Sequence, residues 1–313
     1  MADNSKIEWT DATWNPITGC MVVSPGCTNC YAMKLAGTRL QHHPSRAGLT
    51  IDTKAGPVWN GEVTLNEKWL DQPRRWTRPR RIFVCAHGDL FYERVSDSWI
   101  DQVFRAMAAA PQHTYQILTK RPDRAVEYIN WPGSDYRPPK IWWGTSAEDQ
   151  SRADERIPDL LKIPKGPQDK LFVSLEPLLG PVDLTNHRVC NECGNTPHVL
   201  WKSDPHADPT KPWDDDQCPL HWWPNSGCEG TLHHKIDWVI AGGESGPGAR
   251  PMHPAWVRSL RDQCQEEGVA FHFKQWGEFT PADPADAHTA MHRVGKKAAG
   301  AMLDGREWRE FPA

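Results

Sequence analysis

The sequence predicts an α/β fold, a partial or complete (β/α) barrel of parallel strands with a small Cys-rich, zinc-ribbon-like insertion. Three observations carry that expectation. Six short apolar runs, rich in β-branched and aromatic residues, recur along the chain. Each is followed by a polar loop, often leading into an amphipathic stretch. One segment, 186–234, breaks this rhythm with Pro, Asp, Cys and His. The barrel domain is therefore expected over 1–185 and 235–278, the insertion over 186–234, and a C-terminal hairpin extension over 279–313.

In order, a short first strand is expected near Trp14–Thr18. The apolar runs follow at Arg81–Cys85, Thr114–Leu118, Ile141–Gly144, Leu171–Ser174, Ile236–Ala241 and Ala270–Lys274. Continuous apolar runs of this length suit strands buried on both faces. Helices are expected at Asp97–Ala109, Arg124–Asn130, Asp149–Lys162 and Pro254–Glu267, where apolar residues keep a helical period. Strand–helix alternation implies a parallel sheet with right-handed crossovers. In the tail, the Asp304-Gly305 pair is a hairpin turn signal.

Composition narrows the function classes. A chain of 313 residues can bury a large core, and one catalytic domain with an insertion fits better than two equal domains. The net charge of −4 neither recruits nor forbids nucleic acid, because local patches outweigh the total. No apolar run is long enough to span a bilayer and no basic-then-apolar leader is visible, so a soluble cytoplasmic protein without a membrane partner is expected. Nine cysteines in such a chain point to metal rather than disulfides. Seventeen tryptophans imply many aromatic contacts, most of them in core and loop packing.

Five polar loops follow strand ends: Ala86–Asp89, Thr119–Pro122, Thr145–Glu148, Leu175–Pro177 and Gly242–Ser245. In parallel α/β folds ligands bind at the carboxyl ends of the strands, so these loops describe an active-site mouth. Near the first strand, Cys20, Cys27 and Cys30 place three thiols in eleven residues. Thiolates suit soft metals, and three ligands leave one coordination position of a cluster open. The loop alone is equally a structural zinc knuckle completed by a distant His or Cys.

The cysteine triplet after the first strand of an α/β barrel resembles the radical S-adenosylmethionine superfamily. Thr13-Trp14-Asn15-Pro16 through Cys30-Tyr31, Gly88–Phe91, Leu118–Pro122, Glu176–Pro181, Gly242–Pro247 and Phe273–Gly277 are together similar to a family of phage and prophage three-cysteine-motif proteins regarded as radical-SAM-like. The resemblance spans nearly the whole chain except the insertion. It implies that Cys20, Cys27 and Cys30 ligate three irons of a [4Fe–4S] cluster, and that the fourth iron holds S-adenosylmethionine. The cofactor would be cleaved to methionine and a 5′-deoxyadenosyl radical by an electron from a flavodoxin or ferredoxin. It also implies host cytoplasm as the location if the chain is phage-encoded. The spacing here is C-x6-C-x2-C rather than the superfamily's usual C-x3-C-x2-C, and Asn29 stands where an aromatic residue often precedes the third cysteine.

Other expectations follow from rim position and this resemblance. Lys120, Glu176 and Lys274 are candidate catalytic residues; Tyr31, His87, Asp89, Glu176, Gly242, Gly243 and Glu244 are candidate cofactor contacts. Asp89 would accept from the methionine ammonium, Glu176 would bond ribose hydroxyls, and Lys120 with Arg121 would bind a carboxylate or phosphate. Each such charge reads equally as a solvated loop charge or helix cap. In the insertion, Cys190-x2-Cys193, Cys218-x2-His221 and Cys228 suit a structural zinc ribbon, with His221 or Cys228 as the last ligand; an auxiliary iron–sulfur cluster is the sharper alternative. Cys85 and Cys264 read as inert core thiols.

Arg74, Arg75, Trp76, Arg78, Arg80 and Arg81 fall within eight residues, a pattern that can grip phosphates and stack a base or be a solvated basic loop. Three functions therefore stand open: a radical enzyme modifying or rearranging a nucleobase, in particular a hypermodified base in phage DNA; a zinc-stabilised, non-catalytic nucleic-acid-binding or partner protein; and a radical enzyme acting on a small metabolite or peptide.

Overall fold

A computed structural model describes residues 2–131, 138–190, 194, 232–233, 235–283, 286 and 289–313. Eight strands form one sheet in chain order: β1 (Ala2–Asp3), β2 (Ala12–Trp14), β3 (Arg81–Val84), β4 (Thr114–Thr119), β5 (Ile141–Ser146), β6 (Lys170–Leu175), β7 (Trp238–Gly242) and β8 (Ala270–Gln275). β1 runs antiparallel to β2, and the seven strands β2–β8 are parallel. They curl into a half-barrel with helices packed outside. The barrel is thus partial. The last strand does not meet the first, because the C-terminal segment takes its free edge: Phe273 N donates to Trp308 O at 3.0 Å and Glu310 N to Phe271 O at 3.2 Å. Covering an edge in this way blocks pairing with other chains.

Helices α1 (Tyr31–Ala36), α2 (Asp97–Ala108), α3 (Pro122–Asn130), α4 (Gln150–Leu161) and α5 (Pro254–Glu266) lie in the connections. Proline starts α3 and α5, where a missing N–H costs nothing. Asp149 caps α4 by accepting from Arg152 N at 2.9 Å.

Strand side chains alternate between two cores. Ile82, Val84, Leu171, Val173, Val239 and Ala241 join the large core beneath the helices. Phe83, Phe172, Trp238 and Ile240 point the other way and fill the concave side with Trp9, delivered by the segment between β1 and β2. Gly144 makes room there, since a Cβ would come within 2.3 Å of the Phe172 ring.

Several elements differ from the sequence expectation. β2 stops at Trp14 rather than running to Thr18, because Pro16 has no N–H for the ladder; Ile17–Thr18 pairs antiparallel with Thr64–Leu65 instead. Helix α1 and the hairpin Thr50–Thr53/Gly56–Trp59 were not expected; they bury Ala32, Met33, Ala36 and Trp59 in a small cluster beside Cys20 and Cys30. At the tail, Asp304 and Gly305 take φ of 53° and 77° in the turn joining Met302–Leu303 to Arg306–Glu307.

Candidate active site

A cavity of about 420 Å³ opens at the carboxyl ends of the parallel strands, with Cys20, Cys27 and Cys30 all in its wall. Local geometry begins with Gly19, whose φ of 99° and approach to Glu62 O leave no room for a Cβ. Gly19 N donates to His87 O at 3.1 Å, tying the start of the cysteine loop to the loop after β3. Cys27 ends a 3₁₀ turn, and Cys30 immediately precedes α1.

Two buried carboxylates fasten this loop from distant parts of the chain. Glu148, in the loop after β5, accepts from Gly26 N at 2.9 Å and pairs with Arg156 at 3.4 Å. Burial opposes its ionisation, but the Ser24 hydroxyl, Gly26 N–H and nearby Lys120 and Arg156 charges hold its pKa below the usual value. Glu244, after β7, holds Arg250 by contacts of 2.9 and 2.7 Å, and Arg250 donates onward to Pro25 O at 2.9 Å. Asn29 Nδ2 adds a bond to Gly248 O at 2.9 Å. Sequence reading missed Glu148, Arg250 and Asn29, although Glu148 stood in one of the rim loops.

Burial pushes the Cys20 thiol up to about 12, helped by the Asp89 charge, and raises Cys30 as well. Thiols held protonated by desolvation become ligands when a metal cation replaces the proton. Among the described residues no three His, Cys, Asp or Glu side chains converge on a single-ion position. Three soft thiols in one cavity wall are a donor set of the kind that an iron–sulfur cluster uses.

The other expected residues divide sharply. Asp89 is 5% exposed and already accepts from Thr119 Oγ1 at 2.7 Å, Lys120 N at 3.0 Å, Arg121 Nη1 at 3.0 Å and Phe91 N at 3.1 Å. Instead of waiting for an ammonium, it braces two rim loops. Glu244 is likewise taken by Arg250. Gly243 is glycine for packing, since a Cβ would lie 1.9 Å from Trp276 O, and Gly242 O accepts from Leu178 N at 2.9 Å. Tyr31 donates its hydroxyl to Ala86 O at 2.6 Å. His87 turns to Arg46, whose Nε approaches its Nδ1 at 3.4 Å, and burial holds its pKa down at about 4. Lys274 Nζ contacts both oxygens of Glu176 at 2.8 and 3.2 Å in the cavity wall. Lys120 also lines the cavity, and its ammonium has no hydrogen-bond or ion-pair partner among the described residues.

The arginine cluster lies elsewhere. Arg81 opens β3, at the amino ends of the strands, and none of these residues lines the cavity. Trp76 cannot stack on a base: it is 7% exposed and packed edge-on against His113. Arg80 pairs with Asp3, Arg81 with Asp11 at 3.1 Å, and Arg75 with Asp71 at 2.8 Å, while Arg74 and Arg78 stand exposed. Cys85 is not the strand residue expected; it follows β3 with φ of 58° and borders the cavity. Cys264 is buried in α5. Of the insertion's candidate ligands, Cys190 is a buried strand residue, and Cys193, Cys218, His221 and Cys228 lie outside the described residues. No helix of the described residues is long and apolar enough to cross a membrane.

Comparison with known proteins adds three findings. A solved structure of a cysteine-to-serine mutant of spore photoproduct lyase is similar at a TM-score of 0.37 and 14% identity, covering 85% of this chain and 75% of that one. That likeness is too loose to assign chemistry. No curated protein matches the chain. A family model described as "Protein of unknown function (DUF5131)" matches residues 4–312, and the chain therefore belongs to the DUF5131 family.

Proposed function

We propose that this chain is a radical S-adenosylmethionine enzyme that modifies or rearranges a nucleobase. One observation carries the reading: three cysteines from a single loop share the wall of a deep cavity at the carboxyl ends of a parallel half-barrel. Cys20, Cys27 and Cys30 would hold a [4Fe–4S] cluster, with an external donor of the flavodoxin or ferredoxin class supplying electrons. When bound, the cluster and S-adenosylmethionine supply a hydrogen-abstracting carbon radical.

The chain's own residues do the rest. Glu148 and Arg250 hold the cysteine loop against the barrel rim, so the thiols keep their spacing. The Lys120 ammonium, in the cavity wall near Glu148, offers a point charge to a carboxylate. Glu176 and Lys274 form an ion pair that carries no net charge into the cavity. Trp9 and Phe83 give the cavity an apolar floor that excludes water from the reacting centre.

The aromatic floor supports a nucleobase as substrate. The arginine cluster no longer does, because it sits at the opposite end of the strands; a phage-DNA substrate would have to present its base extruded. For the insertion, a structural zinc ribbon of Cys190, Cys193, Cys218 and His221 or Cys228 is proposed on sequence spacing alone.

Anaerobic reconstitution tests the assignment. Iron and acid-labile sulfide should load at about four per chain, the number that a four-iron cluster contains, and reduction with S-adenosylmethionine should release 5′-deoxyadenosine. Cys27→Ala should lose both. Colourless protein that holds only zinc, or a Cys27→Ala variant that still forms 5′-deoxyadenosine, would sink the reading.

A further inference from the structure

Ser24 stands at the N-cap of the 3₁₀ turn Pro25–Cys27. A serine at that position ordinarily uses its hydroxyl to accept from the N–H two or three residues on. Here both are taken: Gly26 N donates to Glu148 Oε1 and Cys27 N to the Ser24 carbonyl, each at 2.9 Å. The Ser24 side chain makes no cap bond. Its Oγ instead lies 3.9 Å from Cys27 Sγ, in a hydrogen bond with the sulfur. Among the described residues no other side chain hydrogen-bonds to the sulfur of Cys20, Cys27 or Cys30. Glu148 and Ser24 are 1% and 7% exposed, so little water competes for these groups.

The direction of this bond depends on what the sulfur carries. While Cys27 is a thiol, either group can be the donor. The hydroxyl proton can then serve Glu148, whose pKa the hydroxyl lowers. A metal-bound thiolate has no proton to give, and a hydroxyl carries only one. Glu148 can release it, because the carboxylate keeps the Gly26 N–H at 2.9 Å and the Arg156 guanidinium at 3.4 Å. The Cys27 sulfur has no such substitute among the described side chains.

We propose that the Ser24 hydroxyl donates to Cys27 Sγ when that sulfur binds the cluster, and that Glu148 is the positioning residue that frees it by taking the Gly26 N–H. A hydrogen bond to a ligand sulfur draws charge from the iron, which favours the reduced form and raises the reduction potential. The ease of the one-electron step is then set in part by a carboxylate 122 positions along the chain from Gly26. This deepens the reading above, on which it rests for the presence of the cluster.

The test is a redox titration of the anaerobically reconstituted protein, followed by electron paramagnetic resonance. Ser24→Ala should move the midpoint to a more negative value. Ser24→Thr keeps the hydroxyl and should stay near the parent midpoint. Glu148→Gln should move it to a more positive value. That change removes a buried negative charge and a competitor for the hydroxyl proton, while its amide carbonyl still accepts from Gly26 N. A merely structural Ser24 would alter cluster content without ordering the midpoints in this way. An unmoved or more positive midpoint in Ser24→Ala overturns the proposal, as does a more negative one in Glu148→Gln. If Ser24→Ala holds no cluster, Ser24→Thr and Ser24→Val decide, since their side chains match in shape and differ in the hydroxyl. Iron should then load on Ser24→Thr alone, and equal iron content in the two overturns the proposal. Parent protein that loads no iron marks failure of the cluster reading. Parent protein that loads iron, with a midpoint indifferent to Ser24→Ala, marks failure of this inference alone.

Discussion

The two ends of the half-barrel use similar residues for opposite purposes. At the amino ends, Arg80, Arg81, Trp238 and Phe311 are spent on one another and on nearby acids. Arg81 lies 4.1 Å over the Phe311 ring and pairs with Asp11, while Phe311 packs 5.1 Å from Trp238. At the carboxyl ends, charges also pair, as in Asp89 with Arg121, Glu244 with Arg250 and Glu176 with Lys274. There, however, the pairs act as braces around residues that line a cavity, the three cysteines and Lys120 among them. A cluster of charge in sequence thus says little about function until its saturation is known.

That contrast can be broken by substitution. The largest effect is expected in the brace at the mouth: Arg121→Met leaves Asp89 buried and uncompensated, both side chains being under 10% exposed. Loss of one partner of such a pair costs about 3–5 kcal/mol, read as a lower urea midpoint. A loss under 1 kcal/mol would mean that Asp89 is solvated and free for ligand after all.

The next effect sharpens the picture of the closed end. His272 is fully buried beside Phe311, and burial with the Arg309 charge holds its pKa down at about 3. Unfolded histidine titrates near 6.5, so the unfolded chain takes up a proton that the folded chain refuses. Stability should be complete above about pH 6.5 and fall by about 1.4 kcal/mol per pH unit below it for this residue, down to its folded pKa. His87 at the mouth, held down at about 4, adds a second such slope. Urea titrations from pH 7 to 5 measure the sum, and His272→Phe should remove its share; an unchanged slope would contradict a buried neutral imidazole.

The smallest effect belongs to the exposed part of the arginine cluster. Arg75 and Asp71 have side chains 61% and 51% exposed, so Arg75→Ala should shift stability by less than about 0.5 kcal/mol. A larger shift would show that this end is more tightly organised than its exposure indicates.

How much could be read beforehand varies with the range of the interaction. The strands β3–β8 and helices α2–α5 were legible because their signals are periodic and local. The first strand was misplaced by the reach of its apolar run across Pro16, and α1 with the hairpin beside it carried too little apolar pattern to be seen. The charged rim residues were found as a set. Which were already paired was not legible, since Asp89 and Arg121 are 32 positions apart and Arg250 and Pro25 are 225 apart. Trp76 looked like a stacking residue because composition cannot distinguish a buried ring from an offered one.

The amino-acid sequence by itself determined the α/β alternation, the rim of loops at the strand ends and the grouping of three thiols in eleven residues. These follow from spacing along the chain. Only the tertiary structure decided which polar atoms are satisfied and which end of the barrel is closed. A hydrogen bond acts over about 3 Å and is blind to sequence separation, so its partner is chosen by the fold.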